Sequence, residues 1–161
     1  MSIAVYPGTF DPVTYGHIDM IRRAGAIFDR VIIGVLKNYT KNPLFDLNER
    51  MEMLHEVTRG LSNITISTFD GLVVDFCKKE GADVIVRGIR SFSDFEYELT
   101  MAHTNRQLKP EVDTVFLATC PEYSYVSSSS VRELIAFDGD ITAFVPDAIR
   151  DRIYKKVRDN R

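Results

Sequence analysis

The sequence predicts an α/β fold: a doubly wound, five-stranded parallel sheet with helices on both faces, in a single domain spanning residues 1–161. Three observations carry this expectation. Five short runs rich in apolar and β-branched residues alternate with segments of helical period. Most of those runs are continuously apolar, as strands buried on both faces must be. The 161 residues, 45% hydrophobic and 27% charged, amount to one globular domain, and no repeat, linker or low-complexity stretch divides them.

The elements follow in order. Ile3-Ala4-Val5-Tyr6 reads as the first strand, broken by Pro7-Gly8, with a second turn at Asp11-Pro12. An amphipathic helix starts at Gly16-His17, with Ile18, Ile21, Ala24, Ile27 and Phe28 on one face and Arg22-Arg23 on the other. Val31–Leu36 is the second strand, followed by a polar loop to Pro43. Asp46 as N-cap and Glu49 as its capping-box partner open the next helix, continued by Met51, Leu54 and Val57 and ended by Gly60. Ile64–Phe69 is a third strand. Leu72, Val73, Phe76 and Cys77 form one face of a short helix that stops near Gly81.

Val84-Ile85-Val86 is the fourth strand and runs into Arg87-Gly88-Ile89-Arg90. A long helix spans Phe92 to Leu108, stopped by Pro110. Thr114–Ala118 is the fifth strand, followed by a serine-rich loop, Tyr123–Ser130, and a helix from Val131 to Phe137. A last helix begins at Pro146, a favourable first position, and carries Ile149, Ile153 and Val157. This alternation is Rossmann-like. Sites in such sheets form at the carboxyl ends of strands, where the strand order reverses. The three loops Pro7–His17, Arg87–Arg90 and Tyr123–Ser130 all follow strands and are expected to meet in one pocket.

Composition removes several functions. A net charge of -3 argues against bulk binding of nucleic acid or an anionic membrane surface. No basic, then apolar N-terminal segment suggests a secretory signal, and no run of about 18 apolar residues suggests a membrane span. Cys77 and Cys120 lie far apart and form no CxxC, which fits reduced thiols in a cytoplasmic protein. No zinc spacing occurs, so the metal expectation is magnesium carried on nucleotide phosphates. The P-loop, the dinucleotide fingerprint and the G-x-S-x-G of serine hydrolases are absent.

What remains points to a phosphate site. Unpaired N–H groups and the helix dipole at the start of the first helix suit an anion, and Gly16 lets it approach. His17 there can donate a hydrogen bond to developing negative charge, and Thr9 adds a hydroxyl. Arg87 and Arg90, flanking Gly88 directly after a strand, fit bidentate phosphate binding, and Lys41 adds a mobile charge. Ser127–Ser130 can supply hydroxyls and N–H groups while capping the following helix. His55 reads as exposed, and His103 as either solvent-facing or at a subunit contact. Phe92, Phe95, Tyr97 and Leu99 give the long helix more apolar surface than one core needs, which suggests an oligomer interface.

Thr14-Tyr15-Gly16-His17 resembles the HxGH-type signature of the nucleotidylyltransferase superfamily. Ser127-Ser128-Ser129 with Arg132 resembles its second signature, ISS-[ST]-x-x-[RK], with Val126 in the isoleucine position. Y-P-G-T-F-D-P-V-T-Y-G-H, Arg87-Gly88-Ile89-Arg90, D-F-E-Y-E at Asp94–Glu98, the chain length and the motif order together resemble the bacterial phosphopantetheine adenylyltransferase family.

That resemblance implies in-line attack of the phosphate of 4'-phosphopantetheine on the α-phosphorus of ATP, giving dephospho-coenzyme A and pyrophosphate. By matching positions, His17, Lys41 and Arg90 would be catalytic. Thr9, Lys41, Val73 and Arg87 would bind phosphopantetheine. Thr9, Phe10, His17, Gly88, Ile89, Arg90, Glu98 and Tyr123 to Ser129 (Ser124, Tyr125, Val126, Ser127 and Ser128 between them) would bind ATP. The resemblance also implies a homohexamer, magnesium and a cytoplasmic location. Other readings are a nicotinate mononucleotide or glycerol-phosphate nucleotidylyltransferase, a non-catalytic nucleotide-binding module and a dinucleotide-dependent oxidoreductase.

Overall fold

In strand β1 (Ile3–Gly8), Ala4 and Tyr6 belong to one core and Val5 to another, and all three are buried. Period-two alternation within a continuously apolar strand therefore feeds two separate cores. The same holds for β2 (Arg30–Leu36), where Val31, Ile33 and Val35 alternate with Ile32, and for β4 (Val84–Ile89), where Val86 alternates with Ile85. With β3 (Ile64–Phe69) and β5 (Asp113–Ala118), the sheet has the order β3-β2-β1-β4-β5, every neighbouring pair parallel. The structure, a computed structural model, describes residues 1–37 and 42–159.

Helices α1 (Tyr15–Ile27), α2 (Leu47–Val57), α5 (Ser128–Ala136) and α6 (Asp147–Asp159) cover the first core. Helix α3 (Val73–Glu80) closes the second, and α4 (Phe92–Leu108) lies over β4 and β5 beside it. The expected double winding is thus observed. Asp46 and Glu49 form the capping box expected at α2, and Gly81 ends α3 at φ +70°. Gly34 faces the second core, where a Cβ would come within 2.8 Å of the Phe76 ring.

Three boundaries differ from the sequence reading. Strand β1 does not break at Pro7-Gly8: both residues continue the ladder opposite Gly34 and Val35. The reversal falls at Phe10, at φ +51° with its ring folded back over Gly8, where a Cβ would lie 2.9 Å away. A non-glycine residue in this region carries strain of order 1 kcal/mol and is held by its surroundings. Arg87, Gly88 and Ile89 are likewise strand residues, paired with Phe116, Leu117 and Ala118. The serine run is not a loop before a helix at Val131: α5 starts at Ser128, with Ser127 as N-cap.

The chain leaves β1 for β2 on one side and returns to β4 on the other, so the strand order reverses between β1 and β4. A crevice must open there, above the carboxyl ends of both strands.

Candidate active site at the β1–β4 switch point

Two cavities occupy that crevice. The first, about 270 Å³, is lined by the end of β1, the start of α1, Arg87 and Gly88 of β4, Arg90, Tyr123 and Val126 to Ser128. The second, about 550 Å³, lies on the α3–α4 side and includes Thr9, Leu36, Val73, Tyr97, Met101 and Asn105. Pro7, Gly8, Arg87 and Glu98 line both. The wall between the cavities is an ion pair. The Arg87 Nε and one terminal nitrogen donate to the two carboxylate oxygens of Glu98 at 2.7 and 2.5 Å, and the other terminal nitrogen donates to the Pro7 carbonyl at 3.1 Å. Such a two-pronged pair is rigid and directional.

His17 sits at the third position of α1 and closes a capping box in which histidine replaces the usual Glu or Gln. Thr14 Oγ1 accepts from the His17 N–H at 3.4 Å, and the Thr14 N–H donates to His17 Nδ1 at 3.0 Å. An Nδ1 that accepts carries no proton, so the network assigns the proton to Nε2. Burial pushes the His17 pKa down to about 4, and the Arg90 and Arg87 charges add to this. The ring is therefore a neutral Nε2–H donor at neutral pH. Phe10 backs it edge-on, with ring centres 5.0 Å apart, and packs on Tyr6 in turn. One residue thus both caps α1 and lines the first cavity.

At the start of α5 the serine hydroxyls are engaged within the protein. The Ser127 hydroxyl accepts from the Ser130 N–H, Ser128 donates to the Pro12 carbonyl, and Ser129 accepts from Arg132. Among the described residues, the N–H groups of Ser128 and Ser129 have no partner, and neither does that of Gly16. Main-chain donors, rather than the serine hydroxyls, are therefore what this wall offers. A Cβ at Gly16 would meet only ordinary contacts at 3.6 Å or more, so the glycine keeps space for something outside the protein.

Of the residues singled out in the sequence, the first cavity gathers His17, Arg87, Gly88, Arg90, Glu98, Tyr123, Val126, Ser127 and Ser128. The second gathers Thr9 and Val73 with the shared Arg87 and Glu98. The expectation that the three loops meet in one pocket holds, with Thr9 turned to its neighbour. Phe10, Ile89, Ser124, Tyr125 and Ser129 line neither cavity. The Phe10 side chain is buried in the core, behind the His17 ring. The Ile89 carbonyl accepts from the Thr119 N–H, tying β4 to the segment that follows β5. Lys41 lies outside the described residues.

Arg90 pairs with Asp94 at 3.0 Å, and the Arg90 hydrogen bond holds the Asp94 carboxyl below its usual range. Sequence reasoning missed Tyr97, Met101 and Asn105. They stand four residues apart along α4, a spacing that puts them on one face toward the second cavity. Among the described residues no group of three or more His, Cys, Asp or Glu could hold a metal, and the two carboxylates in the first cavity are already paired with arginines. No helix is long and apolar enough to cross a membrane among the described residues.

Fold and site define a nucleotidyltransferase, and a model of the cytidylyltransferase-like family matches residues 5–134. A nicotinic acid mononucleotide adenylyltransferase from Plasmodium falciparum, solved in complex with NaAD, shares the fold at a TM-score of 0.72 and 14% identity, covering 96% of this chain and 95% of that one. Two phosphopantetheine adenylyltransferases are far more similar in sequence. That of Lachnoclostridium phytofermentans is 51% identical, covering 100% of this chain and 99% of the relative, and that of Caldanaerobacter subterraneus subsp. tengcongensis is 49% identical, covering 98% and 99%. The chain belongs to the phosphopantetheine adenylyltransferase family.

Proposed function

We propose that this chain transfers the adenylyl group of ATP to 4'-phosphopantetheine, a step of coenzyme A synthesis. The observation that carries this reading is the pair of cavities divided by Arg87 and Glu98. One offers main-chain N–H groups, Arg90 and the His17 donor to a nucleotide. The other is larger and of mixed polarity, lined by Thr9 and Val73 as well as the shared Arg87 and Glu98, as a phosphorylated, amide-containing arm needs.

In this reading a phosphate oxygen of the acceptor attacks the α-phosphorus of ATP directly. The bond from that phosphorus to the bridging oxygen breaks, and pyrophosphate leaves. The attacking phosphate is largely a dianion near neutral pH, so no strong base is needed; positioning and charge stabilisation supply the catalysis. His17 donates from Nε2 to an α-phosphate oxygen as charge builds, and Arg90 and Lys41 act with it. Arg87 and Thr9 hold the acceptor phosphate in the second cavity, and the Ser128 N–H group receives the leaving phosphates. Magnesium is assigned to the nucleotide phosphates, because the paired carboxylates offer no protein cage. Self-association as a homohexamer is supported by α4, whose Phe92 and Tyr97 are 77% and 65% exposed. A cytoplasmic location belongs to the same reading.

Incubating the protein with ATP and, separately, 4'-phosphopantetheine, nicotinate mononucleotide and glycerol phosphate, with pyrophosphate as readout, tests the reading. Release only with the first is expected. Release with another acceptor alone reassigns the substrate, and ATP binding without release from any of them makes the chain a binding module.

A further inference from the structure

One buried cation is held by main-chain carbonyls and not by a direct ion pair. Arg50, on the inner face of α2, is 2% exposed. One terminal nitrogen of its guanidinium donates to the Thr9 carbonyl at 2.8 Å and to the Leu36 carbonyl at 3.0 Å, and its Nε donates to the Asp46 carbonyl at 3.3 Å. Among the described residues it makes no ion pair, and the Asp11 and Asp46 carboxylates act on it only at longer range.

The three carbonyls come from three segments. Thr9 follows β1, Leu36 ends β2, and Asp46 caps α2. Two of these residues, Thr9 and Leu36, line the second cavity. The Thr9 carbonyl also belongs to the peptide that leads into Phe10 at φ +51°, so its bond to Arg50 helps hold that reversal. A cation buried without a direct counter-ion is costly. An anion arriving in the adjoining cavity offsets that cost. Lysine has the charge but not the fork that lets one side chain reach separate carbonyls in a fixed geometry.

We infer that Arg50 is a positioning residue for the acceptor: its guanidinium joins the ends of β1 and β2 into one wall of the second cavity and biases that wall toward a phosphate. This rests on 4'-phosphopantetheine being the acceptor, as proposed above.

The test measures Kd and KM for 4'-phosphopantetheine and for ATP in the wild type, Arg50→Lys and Arg50→Gln, with thermal melts of all three. Acceptor Kd and KM are expected to rise at least about tenfold in Arg50→Gln, the scale of losing hydrogen bonds from a charged donor, and less in Arg50→Lys. ATP values should stay within about twofold. A lower kcat with unchanged acceptor affinity overturns the inference, as does an equal rise for both substrates. Loss of a cooperative melt in both variants also overturns it, because Arg50 would then determine the fold. A wild type that binds 4'-phosphopantetheine but releases no pyrophosphate sinks the functional reading while leaving the Arg50 binding comparison decisive; one that neither binds nor turns it over sinks both.

Discussion

The Thr14 N–H donates to Nδ1 of His17 across 3.0 Å, so the bond that caps α1 also fixes which nitrogen of the histidine can donate into the cavity. The two uses of the residue can be separated by substitution. Glutamine at the third helical position can rebuild the capping box, whereas alanine cannot. His17→Gln should therefore melt closer to the wild type than His17→Ala, which lacks a cap interaction of about 1 kcal/mol. Both should lose at least ~100-fold in turnover, the scale of removing one transition-state donor, with ATP affinity little changed. Calorimetric melts and pyrophosphate release check the two halves, and near-normal turnover in His17→Gln would refute the role.

The depressed pKa of His17 gives a pH dependence of definite sign. The folded-state value is about 4, below the 6.5 of an ordinary histidine, so between them the unfolded chain binds more protons. This residue's contribution to stability is fully present above about 6.5 and is lost as pH falls toward 4. Urea melts over that window should show a slope that shrinks in His17→Gln. A nitrogen NMR titration should show a proton on Nε2 and no titration of His17 between pH 6 and 8. A midpoint near 6.5 would contradict the assignment.

Because Arg87 and Glu98 divide the two cavities, disturbing them should be felt on both sides. Arg87→Met is expected to raise KM for ATP and for the acceptor together, since it also leaves the largely buried Glu98 carboxylate unpaired. Val73→Asp, at a residue that lines the second cavity and not the first, should raise the acceptor KM alone. Steady-state kinetics with each substrate varied in turn decides this. Equal effects of the two substitutions would remove the dividing wall from the mechanism.

Two glycines separate fold from site. Gly34→Ala places a methyl 2.8 Å from the Phe76 ring in the second core, and overpacking of this kind costs about 1–3 kcal/mol. Its Tm should fall while both KM values hold. Gly8→Ala instead presses on the Phe10 ring that backs His17, so kcat should fall as well. Thermal melts beside kinetics distinguish them, and an unchanged kcat in Gly8→Ala would detach Phe10 from the site.

Elements whose chemistry is local were legible in the sequence. β3 is found at Ile64–Phe69 as its composition requires, and the Asp46–Glu49 box forms because both partners lie within one turn. The ends of β1 and β4 were not legible. Pro7-Gly8 and Gly88 are turn signals by composition, but ladder pairing to β2 and β5 overrides them, a tertiary effect no local window contains. The site followed the same rule. His17 and the serine run announce themselves by spacing, whereas the α4 wall of the second cavity and the Arg87–Glu98 pair depend on how α4 lies across β4. The four-residue spacing of Tyr97, Met101 and Asn105 was visible, but the face it marks acquires meaning only once the cavity is known.

Direct transfer to 4'-phosphopantetheine is tested most sharply by isotope exchange. The protein is incubated with ATP and labelled pyrophosphate, and label entering ATP is counted before and after 4'-phosphopantetheine is added. No exchange without the acceptor and prompt exchange with it is the expected result, since only dephospho-coenzyme A can return the adenylyl group. Exchange in the absence of acceptor would mean an adenylated enzyme, and none in its presence would mean that 4'-phosphopantetheine is not the acceptor.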